Sequence, residues 1–185
     1  IEIYLANQKL IESYGDDYKN RRIISKLPYL HSGEVSNAIQ DRAVIKGDLR
    51  SFDEALTLDF MTKFQAICEK ICREHGVKLE LEMKTEYPAV INTKKETEIV
   101  IELGKQIYGE ANVSDTRLPN LGAEDFSYYT RYTPGTYFFL TTGLKETDNP
   151  DYHNPYFVFD DSAIEQASEL FYKIALHRFD LLSEN

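Results

Sequence analysis

The sequence has no tryptophan, only two cysteines and two methionines, and too few cations to balance its acids. Among its 185 residues, 21 Lys and Arg stand against 31 Asp and Glu, which gives a formal net charge of −10. This charge argues against a nucleic-acid backbone or an anionic membrane as the main partner. No apolar run approaches the ~20 residues of a membrane helix, and no signal-peptide pattern opens the chain. We therefore predict a cytoplasmic protein. The sequence itself starts at Ile1, without a methionine.

The two cysteines, Cys68 and Cys72, are four positions apart, so a helix would place both thiols on one face. That spacing is compatible with a metal-binding or redox-active cysteine pair. The neighbouring residues instead favour a helix face on which both cysteines pack as apolar side chains. The apolar residues at helical spacing around the thiols are Phe60, Met61, Phe64, Ile67 and Ile71. A disulfide between adjacent helical turns is sterically poor. We predict two buried free thiols and a reducing compartment.

The first half of the chain carries helix and strand patterns in the order helix, strand, strand, helix, strand. Pro28 confines the first strand to a sheet edge or an irregular stretch. Ser51 and Glu54 have capping-box spacing, and Gly76 suits the left-handed end of a helix. The predicted elements are a helix over 3–14, strands over 22–31 and 42–50, a helix over 53–75, and an alternating apolar and charged strand over 77–86.

This order is that of a ferredoxin-like module, β-α-β-β-α-β, without its first strand. A three-stranded sheet that stands alone is the other interpretation. The segment Tyr87–Asn92 contains a proline and is typical of a crossover between domains. We therefore predict one α+β domain over residues 1–91 and a second domain over 92–185.

The second half alternates helices and strands, which indicates one edge of a layered α/β domain. The predicted elements are a helix over 95–108, a short strand over 112–114, a helical turn over 124–132, a buried strand over 136–142, and a helix over 161–182. The predicted fold class is thus α/β, with an α+β first domain.

Four polar residues are candidates for chemistry. His153 lies in a polar loop stiffened by Pro155, and an imidazole there can bind a metal or be an ordinary surface side chain. Glu124 follows Gly122 at a helix start, where acids are favoured by the helix dipole or can face a site at strand ends. Asn37 and Arg50 can polarise a carbonyl and bind a carboxylate, or be solvated polar residues.

Several motifs resemble, in order, those of the metal-dependent aminoacylase and amidohydrolase family, which includes hippurate hydrolases and auxin-conjugate hydrolases. The segments that carry the resemblance are Gly33–Asp41, Gly47–Arg50, Tyr87–Asn92, Leu121–Ser127, Pro134–Gly135 and His153–Pro155. The resemblance implies a catalytic domain with a pair of divalent metals and a smaller lid that closes over the substrate and dimerises. It implies a lid at residues 1–91 and the C-terminal portion of the catalytic domain at 92–185.

By position, the resemblance implies that His153 is a metal ligand and that Asn37 and Arg50 hold the substrate carbonyl and carboxylate. We place Glu124 with the substrate-binding residues. The implied cofactor is a divalent metal, zinc first, with manganese, cobalt or nickel as alternatives. The implied substrate is an N-acyl amino acid or a related conjugate, and the implied assembly is a homodimer through the lid.

The sequence departs from the family pattern in two ways. Gln40 stands where the family usually has proline, which would loosen the turn after Asn37. The family's other metal ligands and its catalytic glutamate belong to upstream motifs that this chain does not contain, so we expect an inactive fragment whose partner is the missing N-terminal half. The alternative is a non-enzymatic dimerisation or binding module derived from the family.

Overall fold

The computed structural model describes residues 1–15, 23–116, 118–142, 149–150 and 152–183. The helices and strands in this part are α1 Glu2–Glu12, β1 Ile23–His31, β2 Val44–Ser51, α2 Glu54–Glu74, α3 Lys94–Tyr108, α4 Phe126–Thr130 and α5 Ser162–Ser183, with a short 3-10 helix at Glu110–Asn112. They form two compact units. The first unit is Ile1–Val90 with Leu121–Tyr128, and the second is Ile91–Asn120 with Tyr129–Asn185.

The four long predicted helices are confirmed to within two residues at each end. Their apolar faces repeat at helical spacing, which is a local signal. Gly76 has a φ of 64° and ends α2, and the N–H of Val77 donates to the carbonyl of Cys72 at 2.8 Å. The predicted capping box is wrong. Asp53 caps α2 instead, because its carboxylate accepts from the N–H groups of Ala55 and Leu56 at 2.8 and 3.3 Å.

The sheet of the first unit has two antiparallel strands, β1 and β2, in the described part of the chain. Their register runs from Ile23 opposite Ser51 to His31 opposite Val44, with a shift between Lys26 and Tyr29. Pro28 lies within that shift and has no N–H to offer a ladder. The predicted irregular strand is therefore confirmed over Ile23–His31, and its predicted first residue, Arg22, lies outside the described residues.

Gly47 lies across from this irregularity. A Cβ atom at Gly47 would come within 2.6 Å of the carbonyl oxygen of Lys26 and within 2.4 Å of Leu27 Cδ2. The bulged backbone of β1 thus occupies the space that a side chain would need, so the proline in one strand and the glycine in the other form a matched pair.

The core of the first unit lies where α1, β1 and α2 meet. Its buried side chains are Ile11, Ile23, Phe60, Phe64 and Cys68, and partly buried Leu79 and Met83 pack against them. Cys68 and Cys72 are both buried and free, as predicted. Burial raises the pKa of Cys68 to about 11, with smaller contributions from Cys72 and Glu69. The Cys68 thiol therefore stays protonated at neutral pH and behaves as a small apolar side chain.

Three predicted strands are wrong. Residues 77–86 form no strand. Leu79 and Met83, two of the apolar residues of the alternating pattern, nevertheless pack against the core of the first unit. Asn112 ends the 3-10 helix, and residues 113 and 114 form no strand. Residues 136–142 join no ladder, and Phe139 is 56% exposed rather than buried. Alternating or apolar sequence favours a strand, but a strand also needs a hydrogen-bonded neighbour.

In the second unit, α3 packs against α5. Tyr108 Oη donates to the carbonyl of Gln166 at 2.7 Å, and Arg178 Nη1 lies 3.7 Å from Glu96 Oε1. Leu170 of α5 is 2% exposed. Among the described helices, none has the length and apolar character needed to cross a membrane.

We expect Gly47→Ala to destabilise the chain by about 1–3 kcal/mol, because the new methyl group would overlap the backbone of β1. Urea unfolding followed by circular dichroism measures the change. Gly104→Ala is the matched control. Its Cβ would lie 3.5 Å from Val113 Cγ2, an ordinary contact, in the middle of α3. This control is expected to be neutral or to stabilise by up to about 1 kcal/mol, and equal effects of the two variants would contradict the steric argument.

Candidate functional site

Arg50 ends the polar face of β2 and is held by two acceptors within the first unit. Its Nε donates to Asp48 Oδ2 at 2.5 Å, and its Nη1 donates to the carbonyl of Leu121 at 3.0 Å. Asp48 and Arg50 are two positions apart on one strand, so their side chains share a face. The Arg50 side chain is 45% exposed. Two of the five N–H donors of the guanidinium are used in these contacts, so donors remain for an anion.

The contact between Arg50 and Leu121 brings Glu124 into the same unit as Arg50. Glu124 is half-buried, and its Oε1 accepts from the N–H of Phe126 at 3.3 Å, at the start of α4. This contact is the helix-start role considered from the sequence. A second attachment follows at Tyr128, whose hydroxyl donates to the carbonyl of Glu86 and whose ring packs edge-on against Tyr87.

Asn37 lies in an exposed turn of the loop between β1 and β2. Gly33 opens this loop with a φ of 77°, and the side chain of Gln40 covers it so closely that a Cβ at Gly33 would lie 2.0 Å from Gln40 Cγ. Gln40 Nε2 also lies 3.5 Å from the carbonyl of Ala38. Gln40 thus packs across the base of the turn that presents Asn37.

His153 belongs to the second unit and has a left-handed backbone, with a φ of 71°. Its imidazole is exposed and packs against the ring of Tyr152, with the ring centroids 4.9 Å apart. The carboxamide of Asn154 accepts from the N–H of Tyr156 at 2.9 Å and tightens the following turn. Histidine is one of the few side chains enriched in this conformation, which is strained for most residues.

Two asparagines that were not among the four candidate residues hold the backbone of the second unit. Asn149 Nδ2 donates to the carbonyl of Val158 at 2.8 Å, and its Oδ1 accepts from the N–H of Val158 at 3.0 Å. Asn92 makes the same pair of bonds with the backbone of Tyr137, both at 2.8 Å. The sequence gives no signal of the partner in either case, because each pair joins residues that are brought together only by folding.

The loop of His153 leads directly into α5. Asp160 caps that helix, since its Oδ1 accepts from the N–H of Ser162 at 3.0 Å and from the hydroxyl of Ser162 at 2.7 Å. The bond from the Ser162 hydroxyl, and then the bond from its N–H, lower the pKa of Asp160 below its ordinary value. Its own N–H donates to the carbonyl of Thr142 at 3.1 Å.

In the part of the chain that the structure describes, no three His, Cys, Asp or Glu side chains come together as metal ligands. A zinc site needs three or four donors, and the buried Cys68 thiol is protonated at neutral pH. The described residues therefore do not complete a metal site by themselves.

Comparison with known proteins defines the class of protein. The sequence profile of a class of peptidases, Peptidase family M20/M25/M40, matches residues 7–177. The chain belongs to this family, and the resemblance seen in its motifs is confirmed.

Similar proteins include the hippurate hydrolase of Campylobacter jejuni, 26% identical over 175 residues, which are 94% of this chain and 44% of that protein. The N-acetyl-L-cysteine deacetylase of Bacillus subtilis is 29% identical over 157 residues, or 84% of this chain and 36% of that protein. The chain spans less than half the length of these relatives.

The fold is similar to that of a solved structure, the YXEP protein of Bacillus subtilis, described as a dinuclear metal binding peptidase from the M20 family. The TM-score is 0.66 at 20% sequence identity, over 96% of this chain and 46% of that chain. This mixed architecture of helices with a small sheet is thus a known one.

We expect Asp160→Asn to lower stability at neutral pH, with a loss that disappears in acid. A lowered folded-state pKa stabilises the fold above the ordinary aspartate pKa, and this contribution is lost as the pH falls through the lowered value. Thermal unfolding at pH 7, 5 and 3 measures the difference between the two proteins. Ser162→Ala removes the hydroxyl donor, which is the largest cause of the lowered pKa of Asp160, so it should weaken this pH dependence. A difference that is constant with pH would rule the mechanism out.

Proposed function

We propose that this chain is part of a metal-dependent amidohydrolase that hydrolyses the amide bond of N-acyl amino acids or related conjugates. The observation that carries the proposal is the family match over residues 7–177, because all four candidate residues lie inside it. The names of the two curated relatives, a hippurate hydrolase and a deacetylase, support an acylated amine as the substrate class.

In this proposal Arg50 binds the carboxylate of the substrate. A protein with a net charge of −10 repels anions at long range, so a carboxylate needs a local cation. Arg50 is half-exposed and already oriented by Asp48 and Leu121, and a guanidinium with free donors can bind a carboxylate through two parallel bonds. Glu124 belongs to the segment that Arg50 holds, and we propose that it lines the same substrate site.

Asn37 has the role of a hydrogen-bond donor to the substrate carbonyl. Its exposed turn leaves the carboxamide accessible, and a fixed amide donor stabilises the negative charge that develops on that oxygen during hydrolysis. The packing of Gln40 on Gly33 supports a defined position for this turn despite the absence of proline.

His153 supplies one ligand to a divalent metal. Its exposed ring and left-handed backbone support this role, because strained residues cluster at functional sites. The other ligands and the general base are expected in the part of the protein that precedes this chain in the family pattern. Zinc is the first candidate, with manganese, cobalt and nickel as alternatives.

We further propose that residues 1–91 form a ferredoxin-like lid that also dimerises, and that 92–185 form the C-terminal portion of a catalytic domain. Helix α5 supports the second assignment because it has two apolar faces. Leu170 is 2% exposed, whereas Phe171 and Phe179 are 61% and 68% exposed. The exposed face would pack against the remaining part of the catalytic domain. Without that part, we expect the chain alone to be inactive. We propose that the whole protein is cytoplasmic.

We expect His153→Ala to lower metal-dependent hydrolysis of an N-acyl amino acid by at least about a hundredfold in the protein with its natural upstream region, because a lost ligand weakens metal binding. Ninhydrin detection of the released amino acid measures the rate, and metal content is measured by atomic emission. His75→Ala is the control, since His75 pairs with Glu2 on the surface of the first unit. Unchanged turnover in His153→Ala would refute the assignment. No hydrolysis by the unaltered protein with any of the four metals would favour the binding module.

We expect Arg50→Gln to raise the KM for an N-acyl amino acid by about 10–100-fold, since a charge-assisted bond to the carboxylate is lost. The same variant should leave the KM of the corresponding amino acid amide nearly unchanged, because that substrate has no carboxylate. Arg42→Gln, an exposed arginine of the same unit, controls for net charge. An equal change for both substrates would mean that Arg50 does not bind the carboxylate.

A further inference from the structure

We infer that Asn149 is the positioning residue of the loop that presents His153, an inference that builds on the proposed role of His153. The carboxamide of Asn149 bonds to both the carbonyl and the N–H of Val158, at 2.8 and 3.0 Å. These two bonds join the ends of the segment that contains His153. Asn149 therefore closes the loop at its base.

The geometry resembles one step of an antiparallel ladder in which a side chain replaces a strand. A residue in a ladder exchanges both its N–H and its carbonyl with one partner, and the Asn149 carboxamide offers the same donor and acceptor pair. In the described residues on either side of this contact, the backbone joins no sheet. Asn149 thus satisfies backbone groups of Val158 that a strand would otherwise satisfy.

The conformation of His153 requires such a constraint. A left-handed residue other than glycine persists only when the surrounding contacts fix it, and His153 has a φ of 71°. The Asn154 carboxamide fixes the turn that follows, through the N–H of Tyr156, and Tyr152 packs on the imidazole. Both contacts lie within the loop, so neither joins its two ends. Asn149 provides that closure, and a closed loop has fewer conformations than an open one.

The base of the loop is also connected to a rigid element. Val158 lies two residues before Asp160, which caps α5 and whose N–H donates to the carbonyl of Thr142. By bonding to Val158, Asn149 fixes the far end of the loop next to the start of a 22-residue helix. Positions supported by a helix are held more precisely than positions on a free loop.

Asn92 provides a matched control in the same unit. Its carboxamide makes the equivalent pair of bonds, with the backbone of Tyr137, both at 2.8 Å. Removal of either carboxamide deletes the same number and type of hydrogen bonds. Of the two asparagines, only Asn149 makes bonds that enclose the segment of His153, so of the two replacements only that of Asn149 should change the conformation of His153.

The first measurement uses the isotope-labelled 185-residue chain. In Asn149→Ala, we expect the amide of Val158 to exchange about tenfold faster with solvent, and the three-bond N–H to Hα coupling of His153 to move away from the value of a left-handed residue. In Asn92→Ala, the amide of Tyr137 should exchange faster by a similar factor with the His153 coupling unchanged. Asn149→Asp keeps an acceptor for the N–H of Val158, so that amide should stay protected.

An unchanged Val158 exchange rate or an unchanged His153 coupling in Asn149→Ala would overturn the inference. The inference would also be overturned if Asn92→Ala altered the His153 coupling as strongly as Asn149→Ala. The change would then reflect a general loosening of the second unit and not the loss of loop closure. Far-UV circular dichroism confirms folding, and if Asn149→Ala does not fold, the comparison is made with Asn149→Ser, which keeps a small polar side chain and loses the paired bonds.

The second measurement uses the protein with its natural upstream region. Asn149→Ala should lower kcat about tenfold or more with little change in KM, since a displaced ligand affects the chemical step and not the binding of the carboxylate. Asn92→Ala should change neither. An equal loss in both variants would overturn the positioning role. If the unaltered protein hydrolyses no N-acyl amino acid, the proposed function fails, and the His153 coupling still decides whether Asn149 holds the loop.

Discussion

The second unit depends on side chains that bond to backbone N–H and carbonyl groups of another segment of the chain. These bonds occur among its described residues outside the helices. Asn92 bonds to the backbone of Tyr137, and Asn149 bonds to that of Val158. Thr93 joins them, because its N–H donates to the carbonyl of Gly135 at 2.8 Å and its hydroxyl accepts from the N–H of Gly135 at 3.1 Å. Extended segments are thereby held in place beside α3 and α5.

The first unit uses a charged side chain for a similar purpose. Arg50 donates to the carbonyl of Leu121, 71 positions later in the sequence, while Asp48 fixes the other side of its guanidinium. The hydroxyl of Tyr128 donates to the carbonyl of Glu86 at the other end of the same segment. The segment with Glu124 belongs to the same compact unit as the β1–β2 sheet. Residues 121–128 therefore belong to a different compact unit from the residues on either side of them in the sequence.

The helices were predictable from the sequence because their signal is local. The stripe from Phe60 to Cys72 predicts both α2 and the side of the helix that packs against the rest of the unit, which is the side of the two thiols. Strand prediction failed at 77–86 and 136–142, where the pattern was right for a strand but the partner could not be read from the sequence. The capping prediction failed at Ser51 because α2 begins later: Asp53 accepts from the N–H groups of Ala55 and Leu56, whereas the Ser51 hydroxyl accepts from the N–H of Asp53.

The candidate residues could be named from motifs, but their surroundings could not. Nothing near Arg50 in the sequence indicates a bond to Leu121, and nothing near His153 indicates closure through Asn149 and Val158. Such contacts depend on which segments meet after folding. Gln40 in place of the family's usual proline suggested a looser turn after Asn37, and its packing on Gly33 could not be read from the sequence.

The two buried thiols have a practical consequence for experiments on this protein. Cys68 is 2% exposed and Cys72 is 8% exposed, and the high pKa of Cys68 leaves almost none of it as the reactive thiolate at neutral pH. Maleimide reagents need both access and a thiolate. A single cysteine introduced on an exposed turn would therefore react selectively with a fluorophore or spin label while the native pair stays in place, and distances within each unit become measurable without altering its core.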